Sequence, residues 1–174
     1  MLKALRRSAG HRKAAGSLWA QIAAQARAPE FFRELGVPDS FNGRFDMVTL
    51  HSWLVLERLD AEGARGVSQA LINAIFYGFE DALRDQGAGD MGMTRRMKKI
   101  ADAFYGRLNA YGAAASQAEL AEALLRNVYG DDEAARTVAD RLAGYAWAAR
   151  ARLNAAQLSA GNVSFGPISA EEVG

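Results

Sequence analysis

The chain has no cysteine, only two histidines and only three prolines in 174 residues. Without cysteine there is no disulfide framework, no thiolate zinc site and no cysteine nucleophile, and a reducing compartment is compatible. With His11 and His51 alone, and no Glu-x-x-His pair, a metal site would have to be built almost entirely from carboxylates. No apolar run approaches the roughly 18 residues needed to cross a bilayer, and the amino terminus lacks the apolar stretch of a secretory signal, so the chain is predicted to be soluble or peripheral. No stretch alternates apolar and polar residues for long enough to make a sheet strand. Acid is missing from residues 1–27, which hold Lys3, Arg6, Arg7, Arg12, Lys13 and Arg27. The rest of the chain therefore carries 15 basic against 20 acidic residues, a net −5 beneath an overall +1.

What is present is globular composition, 50% hydrophobic and 24% charged. A chain of this length suggests one domain that buries roughly 70% of its surface. The most continuous apolar stripe at helical spacing lies in Ser68 to Gln86, where Ile72, Ile75, Phe76, Phe79 and Leu83 recur at three and four residues. Ser68 is placed as its N-cap and Gly87 as the glycine that ends it, and it is predicted to be the central helix. Around it, Ser17 caps a short helix to Arg27, Glu30 to Leu35 makes a turn or two, and a long helix runs from about Asp46 to Asp60. Another runs from about Thr94 to Ala114. Ser116 and Glu119 form a capping box for a helix ending at Tyr129 with Gly130 beyond it, and Asp131 or Asp132 opens the last long helix. The fold class is all-α, about six or seven helices without a sheet, and the expected layout is a basic flexible arm over residues 1–16, a helical domain over 17–156 and a polar tail over 157–174.

Motifs that carry chemistry elsewhere lack their context here. Gly87, Gly89 and Gly92 spell the dinucleotide fingerprint, but a helix precedes them where a strand is required. Gly66-Val67-Ser68-Gln69-Ala70 has the spacing of a nucleophile elbow and also lacks its strand. Glu80 and Asp81 are adjacent on a helix and point about 100° apart, which is no acid and base pair. The most informative charges are Arg95, Arg96, Lys98 and Lys99, which lie near the start of a helix, where the macrodipole disfavours cations by a few tenths of a kcal/mol each. They are the candidates for an anionic partner such as phosphate headgroups, RNA or an acidic protein segment.

FYGFEDALRDQG, DMGMTRRMKKIADAFYGRLNAYG and LAEALLRNVYG, with FNGRFDMVTLHSWLVLERL upstream, resemble the ubiquinol–cytochrome c chaperone family of respiratory complex assembly factors over about residues 30–155. The resemblance implies an all-helical protein without cofactor or catalytic residues, which binds newly made cytochrome b at the membrane and ribosome until assembly. It also implies a place in the cytoplasm peripheral to the inner membrane, or in the mitochondrial matrix of a eukaryote. Mitochondrial members work with a small partner protein, DNA is not a partner, and the short chain looks like a bacterial member. A holder of apolar segments needs an apolar edge that its own fold leaves uncovered, and His51, Trp53, Tyr77, Tyr105 and Tyr111 are the candidates for that edge. The alternative is a peripheral helical protein that binds anionic lipid or RNA through the basic arm and the cluster from Arg95 to Lys99.

Overall fold

The computed structural model describes residues 2–87 and 89–168, which are helical with no strand among them. Six long helices carry the fold: α1 (Leu2–Gln25), α3 (Phe41–Ala61), α4 (Arg65–Asp85), α5 (Asp90–Gly112), α6 (Gln117–Tyr129) and α7 (Arg136–Arg152). Two five-residue helices, α2 (Pro29–Arg33) and α8 (Ala155–Ser159), and a 3-10 turn at Glu133–Ala135 join or follow them. The predicted stops are in place, with Gly87 and Gly130 at φ 80° and 64° just beyond α4 and α6. The capping box forms in a shifted version, with the glutamate reaching the residue before the cap. Ser116 Oγ accepts from the Glu119 N–H at 3.2 Å, while the Glu119 carboxylate accepts from the Ala115 N–H at 2.9 Å.

The centre of the fold is α3, not α4. It packs against α1, α4, α5, α6, α7 and α8, and every residue from Thr49 to Leu56 is buried. A helix enclosed on all sides shows little one-face periodicity, so the amphipathic α4 stands out in sequence while the enclosed α3 does not. α3 also starts earlier than its apolar pattern, at Phe41, because Ser40 caps it by accepting from the Gly43 N–H at 3.2 Å. On α4, Ser68 is not the cap. The helix begins at Arg65, and Ser68 is buried in its first turn with its N–H donating to Ala64 O. Of the expected α4 and α5 stripe, Phe79 and Phe104 are buried, whereas Ile72, Phe76 and Leu108 are only partly covered and pack at its margin.

Residues 2–16 are not a flexible arm but the first half of α1, continuous with the helix expected to begin at Ser17. Gly10 and Gly16 cost a helix about 1 kcal/mol each, and packing offsets that cost. Ala14, Ala15, Leu18 and Ile22 are buried. Gly66 and Gly78 on α4 also leave room for α1 side chains: a Cβ at Gly66 would lie 2.2 Å from the His11 ring, and one at Gly78 2.3 Å from Trp19. The tail departs from expectation too. Ser17 Oγ and Gln21 Nε2 donate to Gly161 O at 2.7 and 2.8 Å, the Val163 N–H donates to Gln21 Oε1, and Phe165 is buried, so residues 160–168 form a strap across α1. The rest of the expected tail, 169–174, and Met1 of the arm lie outside the described residues.

Candidate functional site

Three of the five residues expected on an uncovered edge are interior. His51 is fully enclosed on α3. Its Nδ1 lies 2.6 Å from Met47 O and its Nε2 2.8 Å from Tyr145 Oη. A carbonyl can only accept, so Nδ1 carries the proton and Nε2 accepts from the tyrosine hydroxyl. Phe31 and Phe165 close the ring off at 5.2 and 4.8 Å between centroids. Trp53 and Tyr111 meet edge to face at 5.7 Å between α3 and α5, and both are buried. These three side chains hold α3 to its neighbours and present nothing to a partner. In the sequence they resemble edge residues because each ring carries a polar atom, a trait that does not depend on what packs over it.

Tyr77 and Tyr105 do stand in solvent, 74% and 44% exposed. Tyr105 stacks on the half-buried Phe76 at 5.8 Å with the planes 25° apart, and Phe76 continues inward to Phe79 and Phe104. Arg95, Arg96, Lys98 and Lys99 are all exposed on α5, and none of them forms an ion pair among the described residues.

A second surface was not anticipated. An open groove of about 340 Å³ lies between α1, α3 and α4, lined by Trp19, Phe41, Phe45, Val48, Phe79 and Ala82. Arg27 and Asp85 also line it, as do Arg44 and Asp39, which pair at 2.9 Å. Phe79 forms the floor, meeting Trp19 at 6.5 Å and Phe45 at 5.3 Å. The available signal was Phe41 and Phe45, four residues apart behind the Ser40 cap. A helix that starts at about Asp46 leaves both ahead of its first turn.

Beside this groove lies a cavity of about 590 Å³, lined among others by Phe41, Phe45, Asp46, Lys99 and Arg107. Asp46 is buried, and Arg107 Nε donates to its Oδ1 at 2.7 Å. The guanidinium also donates to Ala103 O and Asn127 O and lies 5.1 Å from the Phe45 ring centroid, so one side chain ties α3, α5 and α6 together. Burial pushes the Asp46 carboxyl up to about 6 despite the opposing pull of Arg107. Burial likewise drives His51 down to about 4, against the bond to Met47.

These two shifts work against each other. His51 is neutral in the fold, so as pH falls from 6.5 towards 4 the unfolded chain takes up a proton first and stability is lost. Asp46 is protonated in the fold before it is in the unfolded chain, so its contribution is full below 3.8 and is lost as pH rises through 6. Each is of the order of 3 kcal/mol over its full range. Relative to the parent, Asp46→Asn is therefore expected to lose stability more steeply between pH 6.5 and 4.5, and His51→Gln to gain it. Urea titrations at the two ends of that window check both, and a parental pH profile for Asp46→Asn would contradict the stated burial of Asp46.

Among the described residues no group of three or more histidine, aspartate or glutamate side chains is placed to hold a metal ion, and no helix is long and apolar enough to cross a membrane. What the surface offers is binding area, an aromatic groove and a basic, tyrosine-edged helix face. The chain is 27% identical over 103 residues to ubiquinol-cytochrome-c reductase complex assembly factor 1 of Xenopus laevis, covering 57% of this chain and 52% of the relative. It is 28% identical over 121 residues to the Drosophila melanogaster protein of the same name, covering 64% and 47%. The chain thus spans about half the length of these curated relatives. The crystal structure of the Cbp3 homolog from Brucella abortus superposes with a TM-score of 0.82 at 34% identity, over 96% of this chain and 97% of that one. Residues 33–160 match the model of the family described as ubiquinol-cytochrome C chaperone, and the chain belongs to that family.

Proposed function

We propose that this protein is a non-catalytic assembly factor for the ubiquinol–cytochrome c reductase complex, which holds newly made cytochrome b by an apolar segment while that client awaits assembly. The family and the names of the relatives support the assembly role. The observation that carries the holding role is the aromatic groove between α1, α3 and α4. Its walls are rings and small side chains, which make broad dispersion contacts and few directional demands, as suits an apolar client of varied shape. Its volume admits one or two large side chains, so the groove would grip an anchor of a client helix by its protruding residues. The charged residues of its lining keep the groove wetted and the free protein soluble. The work would be done where cytochrome b meets the membrane, with the chain peripheral to it, and a ribosome contact or a small partner protein would use other faces.

The test places a photo-crosslinking residue singly at Phe41, Ala82, Tyr77 or Tyr105 during synthesis of cytochrome b in cells. Capture from Phe41 and Ala82 is the expected result. Capture from Tyr77 and Tyr105 alone would move the client to the outer face of α4 and α5, and capture from none would remove cytochrome b as the client.

A further inference from the structure

We propose that the solvent face of α5 is a docking surface for a bilayer containing anionic lipid. Met91, Arg95, Lys98, Asp102 and Tyr105 follow one another at four, three, four and three residues, the spacing that stacks side chains along one face of a helix. All five are exposed, and Met91 is completely so. Lys99, which lines the neighbouring cavity, and Arg96, three residues before it, flank the stripe. With Asp102 as the one acid on this stripe, the four cations leave the face at net +3.

Charge alone would serve a nucleic acid or an acidic peptide equally well. The apolar and aromatic members of the stripe favour lipid. An unbranched apolar side chain standing wholly in water has no role in the fold, and it precedes Arg95 by one turn on the same face. Two exposed tyrosines, Tyr105 on the stripe and Tyr77 on the adjoining α4, add rings with polar tips. An apolar residue to enter the headgroup boundary, cations for the phosphates and tyrosines for the interface are the composition of a surface-lying helix. The opposite side of α5 is locked in the core by Met93, Ile100, Phe104 and Tyr111, so the helix docks as a fixed face without leaving the fold. From Met91 to Tyr105 that face is about 21 Å long at 1.5 Å per residue. The assembly reading supplies the reason for such contact, a client that lives in the membrane, but vesicle binding needs no client and stands or falls separately.

The test is co-sedimentation of the full chain with phosphatidylcholine vesicles, alone or with about one third phosphatidylglycerol, at low and high salt. Binding is expected only with the anionic lipid and to weaken with salt. At about 1 kcal/mol, or roughly fivefold, per cation near the surface, replacing Arg95, Arg96, Lys98 and Lys99 together by Gln should weaken it several hundredfold. Asp102→Lys, a change of two charges, should tighten it roughly thirtyfold by the same measure. Met91→Ser should weaken it severalfold and leave the salt dependence unchanged. Circular dichroism of each variant should match the parent. The proposal is overturned if the parent ignores anionic vesicles, if the fourfold variant binds as the parent does, or if that variant loses affinity for single-stranded RNA while keeping it for vesicles.

Discussion

Replacing Phe104 by Ala is expected to cost about 3–5 kcal/mol of stability, among the largest losses any single truncation in this chain should cause. Phe104 is fully buried, and its ring meets Phe76, Phe79 and Tyr105 at 5.4, 5.9 and 5.4 Å, edge to face each time. Removing it deletes the joint between α4 and α5 and leaves a void that no small shift of two packed helices can close. Phe76→Ala should cost clearly less, since Phe76 is half-buried and its outer face already sees water. Urea denaturation of both variants measures the difference, and equal losses would mean that the cluster is not centred on Phe104.

Arg107→Met should lower stability by about 3 kcal/mol at pH 8, where Asp46 would be left buried without its cation. The lost bond to Asn127 O adds to this by removing a tie between α5 and α6. Because burial raises the Asp46 pKa and Arg107 restrains it, removing the arginine lets that pKa rise further above 6. A raised carboxylate contributes stability that is lost as pH rises through its folded-state pKa, so the variant should recover much of its deficit by pH 5. Combining it with Asp46→Asn should restore part of the loss at pH 8 and abolish the recovery. A deficit of the same size at both pH values would show that the damage comes from packing alone.

Helix type and helix ends were legible in the sequence wherever a local signal governs them: the Ser116 and Glu119 box, Gly87, Gly130 and the apolar stripe of α4. Burial was not legible where it depends on neighbours. His51, Trp53 and Tyr111 resemble edge residues because each has a polar atom, yet α3 is enclosed by six helices, and those atoms are either paired inside, as in His51, or simply covered. The basic amino terminus resembled an arm because glycines interrupt it. Its order comes from α4, whose Gly66 and Gly78 admit His11 and Trp19, a fit that no local rule encodes. The groove escaped for the same reason, since Trp19, Phe41 and Phe79 come from three helices and meet only in the fold. The exposure of the α5 cations matches the sequence reading but not its reason: the helix begins at Asp90, four residues before Thr94, which sets Arg95 to Lys99 in its second and third turns, beyond the reach of the terminal dipole.

The most direct test of the holding role is to block the groove and ask what still co-purifies. Ala82→Arg puts a long charged side chain on the groove wall at a half-exposed position, so the fold should persist, as melting of the purified variant would verify. Affinity isolation of the tagged parent from native membranes is expected to recover cytochrome b, and the blocked variant to recover far less. Recovery of cytochrome b undiminished by Ala82→Arg would contradict the groove as the client's seat, and its absence from the parent would contradict the holding role itself.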